Sequence, residues 1–100
     1  MFSLTITDEM LNKLQAMLDD EDEDMCVRLR EYKVGGGWHA KIVLGLGIDE
    51  MDEDEDEQIS IKNIPFIAEK DFLIKYGTAF ELTMNEQKEV VLTPLGTTSA

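Results

Sequence analysis

The most distinctive chemistry-bearing string in the chain is Gly35-Gly36-Gly37-Trp38-His39-Ala40. Successive glycines let a backbone turn several amides toward an anion, or take up positive φ. No Lys-Ser/Thr pair follows them, which excludes a phosphate loop of the Walker type. The candidate ligand-binding residues are therefore Gly35, Gly36, Gly37, Trp38 and His39. The plainer expectation is a turn between two strands with Trp38 packed over the core, whereas an exposed Trp38 suits a protein–protein hot spot. His39 is the sole histidine, a residue type suited to acid–base chemistry. No nucleophile stands beside it, and it is expected as a solvated strand residue.

Cys26 is the only cysteine, so no internal disulfide can form. Its alternation with Val27 in an apolar stretch predicts a buried structural thiol. Asp52, Asp54 and Asp56 fall at alternate positions and invite a calcium reading. Calcium loops also need a glycine for the turn and a distal glutamate, and no glycine lies between positions 48 and 76. A solvated, self-repelling loop is expected there instead. Arg28 and Arg30 share a strand face with Tyr32 and can pair with either acidic run, as surface contacts contributing under ~1 kcal/mol. No Ser-His-Asp spacing, Cys-His pair or paired carboxylates in an apolar frame are present. The chain is expected not to be an enzyme, and neither catalytic residues nor a metal-ligand set are assigned.

Nine cations against twenty-two acids leave a formal charge of −13 over 100 residues. The acids are concentrated. Positions 19–24 are all acidic, and 49–57 hold eight acids in nine. Fourteen of the twenty-two therefore sit in two runs, and the remaining eight nearly balance the nine cations. Nucleic acid is not expected as a partner, because phosphate binding rests on clustered Lys and Arg. No apolar run approaches the ~20 residues of a membrane helix. The N-terminus lacks a basic stretch leading into an apolar one, so a cytoplasmic location is expected.

The elements that must position these residues follow from periodicity. Residues 3–6 predict a short strand. Thr7 is placed to cap a helix starting at Asp8, whose apolar stripe is Met10, Leu11, Leu14, Met17 and Leu18. The helix should end in the acidic segment. Period-two alternation predicts a strand over 25–34 and a second over 40–48, where Gly45 and Gly47 suggest a bulge or close backbone approach. Further strands are predicted at 59–62, 64–67, 78–84 and 89–93, with a turn over 85–88 and a helix over 68–76 capped by a left-handed Gly77. The reading is one domain over residues 1–96, mainly β with two helices (α+β), with 97–100 as a frayed tail.

The strings LTITDEMLNKLQAML (4–18), VRLREYKVGGGWHAKIVLGLGIDE (27–50), IKNIPFIAEKDFLIKYGTAFEL (61–82) and VVLTPLG (90–96) resemble the HesB/IscA-type iron–sulfur cluster assembly proteins. The resemblance implies a small β-sandwich or pseudo-barrel and a role in iron–sulfur cluster biogenesis. Cluster-carrying members of that family place one cysteine in the glycine-rich loop and a Cys-Gly-Cys pair after the last strand. Thiolates are the soft anionic ligands that iron–sulfur clusters require. Here the loop position falls on Trp38, or on Gly37 if the loop shifts by one, and the chain ends Leu-Gly-Thr-Thr-Ser-Ala. The expectation is a divergent member without a Cys-ligated cluster, acting as a partner or regulator through an unidentified protein partner. Homo-oligomers are open. The alternative is an acidic interaction module that steers a basic partner to the Gly35–Ala40 loop.

Overall fold

A computed structural model describes residues 2–95. Strand β1 (Ser3–Thr5) leads into helix α1 (Asp8–Asp19), followed by β2 (Met25–Val34), a 3-10 turn (Gly37–His39) and β3 (Lys41–Glu50). Then come β4 (Asp56–Ile61), β5 (Ile64–Glu69), α2 (Lys70–Tyr76), β6 (Ala79–Met84) and β7 (Val90–Pro94). The strands form a three-stranded sheet, β1-β6-β7, and a four-stranded sheet, β3-β2-β5-β4. The mainly-β α+β reading stands. The two sheets are separate and do not close into a barrel.

Local chemistry accounts for the helix limits. The Thr7 hydroxyl accepts from the Met10 amide at 3.3 Å, Asp8 and Glu9 occupy the positive first turn, and α1 stops at Asp19 with Asp20 as its cap. Met10, Leu11 and Leu14 are buried, whereas Met17, at the far end of the stripe, is exposed. The second helix starts at Lys70, two residues later than expected. Strand β5 continues that far because Ala68 and Glu69 pair with Glu57 and Asp56. Gly77 has φ 93° and ψ −172°, so it ends α2 with positive φ but not in the left-handed helical conformation. The β4–β5 turn, Lys62-Asn63, has φ 49° and 71°. Such a two-residue turn matches the twist of a hairpin, and Asn tolerates it better than most residues.

The core joins both layers. Val27, Leu29, Phe66 and Ala68 of the four-stranded sheet face Phe80, Leu82 and Leu92 of the other, while α1 and α2 contribute Leu14 and Phe72. The rings of Phe72 and Phe80 stack with centroids 5.6 Å apart.

The β2–β3 hairpin dominates the architecture. Its antiparallel register runs unbroken from Met25↔Glu50 to Val34↔Lys41. No bulge occurs at Gly45 or Gly47, and no second backbone approaches them. The Tyr32 ring fills the space instead: a Cβ on Gly45 would lie 3.0 Å from Tyr32 Cε2, and one on Gly47 3.1 Å from Arg30 Cδ. Tyr32 donates its hydroxyl to the Leu46 carbonyl, and the Arg30 guanidinium lies 5.0 Å from the Tyr32 ring centroid. On its other side β2 meets β5 only at Val27↔Phe66 and Arg28↔Ile67, so its distal part runs on without a strand neighbour there.

Among the described residues no helix is long and apolar enough to cross a membrane. The expected fraying of 97–100 lies outside the described residues.

Candidate functional site

The hairpin separates its chemistry into two ends. At the tip, Gly35 (φ 85°) and Gly37 (φ 58°) adopt conformations that L side chains rarely take, and a Cβ on Gly35 would lie 2.9 Å from the His39 carbonyl oxygen. The turn closes on itself: the His39 amide donates to the Gly36 carbonyl at 3.2 Å and the Ala40 amide to Gly37 at 3.4 Å. These two amides are thereby withdrawn from any anion.

Trp38 does not pack over the core. It is 97% exposed, because the tip outruns the sheets and leaves nothing for the indole to cover. His39 lies on the 3-10 turn instead of a strand, and it is also exposed. Around Trp38 the arm leaves Val34 (45%) and Ile42 (51%) open to solvent, with Tyr32 and Val43 partly so. The charged side chains nearest the turn are Lys33 and Lys41, with Glu31 the nearest acid, while Arg30 extends back over Gly47 toward the base. Glu31 is already engaged, accepting from Tyr76 Oη at 2.9 Å and Lys75 Nζ at 3.1 Å. These two bonds hold its carboxyl below the usual range, the Tyr76 contact contributing most.

At the base, Arg28 overturns the surface-pair expectation. Its side chain is buried, and it grips Asp56 with two parallel hydrogen bonds, Nη1 to Oδ1 and Nη2 to Oδ2, each 2.7 Å. Its Nε donates to Asp49 Oδ2 at 2.9 Å, and Nη2 also donates to the Glu50 carbonyl at 3.1 Å. Hydrogen bonding to Asp56 raises the guanidinium pKa further, and the same contact holds Asp56 below the ordinary carboxylate range.

The second acidic run is likewise not a freely extended loop. Asp52 Oδ1 accepts the amides of Asp54 and Glu55, the Asp52 amide donates to Asp56 Oδ2 at 2.7 Å, and the Glu55 carbonyl accepts the Lys70 amide at 2.8 Å. With Asp56 held by Arg28 and Asp52 spent on its own turn, the alternate aspartates do not converge on a cation. Among the described residues no three His, Cys, Asp or Glu side chains are grouped to hold a metal ion. Beside this network opens a cleft of about 640 Å³, whose walls include Arg30, Glu50, Glu55, Asp71 and Lys75 over Leu29 and Phe72.

Cys26 is 6% exposed near the base of β2, and burial is the main cause pushing its thiol pKa up. From Cys26 to Val34 the strand covers about 26 Å at ~3.3 Å per residue. Cys26 and His39 thus lie at opposite ends of the hairpin. The iron–sulfur cluster implied by the family resemblance does not fit these residues: the loop offers an indole where a thiolate is needed, and the one thiol is buried far from it.

The convergence of the two acidic runs is not evident from either run taken alone. One run leads into β2 and the other leaves β3, and Met25 pairs with Glu50 across them. Both therefore gather at the base. The available signal was that the two runs bracket a single hairpin, spaced symmetrically about its glycines. No family model matches the chain, and no curated protein matches it.

Proposed function

We propose that this chain is a non-enzymatic protein-interaction module of HesB/IscA-like architecture, with the tip of the β2–β3 hairpin as its working surface. One observation carries the reading: the only tryptophan is 97% exposed at the end of a glycine-flanked arm, beside Val34 and Ile42. An exposed aromatic at the end of an arm that also exposes Val34 on one face and Ile42 on the other has the composition of an interface hot spot, and a lone exposed tryptophan has no role in the protein's own packing. The HesB/IscA-like assignment draws support from the order of elements, in which a strand and helix precede a long hairpin around a glycine-rich loop. The missing loop thiolate favours a partner or regulator in cluster assembly over a carrier.

The alternative, in which the acidic runs steer a basic partner to the tip, is disfavoured by the charge layout. The runs lie about 30 Å from Trp38 along the hairpin, several screening lengths at physiological salt. A basic partner is drawn to the base instead.

Two measurements test the proposal. Capture of a specific protein from the native host should be lost in Trp38→Ala while the thermal midpoint is unchanged; retained capture would refute the working surface. Anaerobic reconstitution with iron and sulfide should leave the protein colourless. A stable brown product whose colour disappears in Cys26→Ser would overturn the ligandless reading.

A further inference from the structure

We infer that the cleft beside the Arg28 network takes an extended, lysine- or arginine-rich segment of another protein, which adds as a strand to the open edge of β2. This surface is separate from the tip, and the inference stands without it. The register defines the edge. The amides of Met25 and Glu50 are spent on the Asp22 carbonyl and on Asp49 Oδ1, so that pair does not bond across the hairpin. Even-numbered residues of β2 therefore bond to β3, and odd-numbered ones turn their N–H and C=O groups the other way. The β5 side has the same phase. The Lys70 amide on the Glu55 carbonyl extends the β4–β5 ladder, so Ala68 and Phe66 bond to β4 and Ile67 faces β2. Strand β5 keeps to β2 only as far as Arg28↔Ile67, and the chain then turns away into α2. Glu31 and Lys33 are left with edge donors and acceptors that no described group bonds. An open strand edge of this kind recruits another strand.

The slot is shaped before anything enters it. The cleft opens where β5 leaves, between β2 at Leu29 and Glu31 and the α2 side chains Asp71, Phe72 and Lys75. Lys75 and Tyr76 hold the Glu31 carboxylate, which anchors the edge strand from the α2 side. Charge sets the occupant. The cleft walls carry eight acids against three bases, and two of those bases are used internally. Arg28 is taken by Asp56 and Asp49, and Lys75 by Glu31. The carboxylates of Glu50, Glu55, Glu69 and Asp71 are exposed, and no described group bonds them. A basic extended segment supplies both things the slot lacks: backbone groups that continue the ladder, and cations that meet these carboxylates. A polyamine supplies only the charge.

The experiment is an NMR titration of the full chain with a heptapeptide alternating lysine and valine. Binding should protect the Glu31 and Lys33 amides from exchange and lose at least ~10-fold in affinity on going to 0.5 M salt. Two analogues keep the charge but carry N-methyl groups on one or the other set of alternate amides. Only one set faces the β2 edge, so one analogue should bind at least ~10-fold more weakly and the other like the parent. Lys33→Pro removes an edge amide without touching a bond to β3 and should weaken binding ~10-fold. Lys33→Ala makes the same charge change and should not weaken it. Glu50→Lys/Asp71→Lys should abolish binding, and circular dichroism melts establish that each variant is folded. Trp38→Ala should bind the peptide like wild type, so this inference and the tip reading fail separately. A peptide that does not bind at low salt, analogues that bind alike, or indifference to Lys33→Pro would each overturn the inference. Spermine protecting the same two amides would also overturn it, since charge alone would then suffice.

Discussion

Arg28 and Asp56 meet at 2.7 Å through two parallel hydrogen bonds, with the Asp56 side chain wholly shielded from solvent. Arg28 lies on β2, inside the four-stranded sheet, and Asp56 opens the edge strand β4, so the pair bridges the two across β5. It also fixes the acidic segment, because Asp56 holds the Asp52 amide and Arg28 holds both Asp49 and the Glu50 carbonyl. Among the described residues no buried side-chain nitrogen or oxygen lacks a partner, so the network is complete. Complete polar networks tolerate the loss of all members better than the loss of one.

Arg28→Met strands a carboxylate in the interior and should cost about 3–5 kcal/mol. The double substitution Arg28→Met/Asp56→Leu should recover most of that loss. Denaturant midpoints of the three proteins decide it; a double variant as unstable as the single one would refute the account.

Acid should weaken the same contact with a defined sign. The folded pKa of Asp56 lies below its unfolded value, chiefly through hydrogen bonding from Arg28. Its stabilisation is therefore fully present above about pH 4 and fades as pH falls through the lower, folded pKa. Asp56→Asn cannot titrate, so the stability gap between wild type and this variant should narrow as pH is lowered below 4. Relief of the general negative charge acts on both proteins alike and drops out of the difference. A gap independent of pH between 2 and 6 would contradict the assignment.

Gly45 leaves room for an aromatic ring. A side chain at this position meets Tyr32, so Gly45→Val should lower stability by about 1–3 kcal/mol. In a Tyr32→Ala background the same substitution should cost much less. A double-mutant cycle from thermal melts measures the coupling, and additive effects would show that the ring and the glycine are unrelated.

Thr7→Ala should cost about 1 kcal/mol by freeing the Met10 amide, and Thr7→Ser should restore most of it. Equal midpoints for Ala and Ser would mean that the 3.3 Å contact contributes nothing.

The elements whose residues repeat with a clear period are legible in the sequence alone. Alternation over 25–34 marks β2 to the residue, and Thr7 marks the start of α1, because these signals are local. Asp56 was hidden for the opposite reason: within eight acids in nine, no local feature distinguishes the one carboxylate that a distant arginine draws inside. Arg28 carried a faint sign of it, as the residue between Cys26 and Arg30 on a strand otherwise flanked by buried positions. The exposure of Trp38 is not legible locally, because it depends on where neighbouring strands stop. Only the short β2–β5 pairing at Val27 and Arg28 reveals how far the arm runs beyond its support. The sheets' failure to close is likewise a long-range property.

Cys26 gives the molecule an internal clock. Its sulfur is shielded on a strand bonded to β3 at the same residue and to β5 one residue further on. A thiol reagent can therefore react only after these strands part, and the protein has a single thiol to modify. Labelling rates of the native protein thus read the opening free energy of the central sheet, at one defined atom and without any introduced probe.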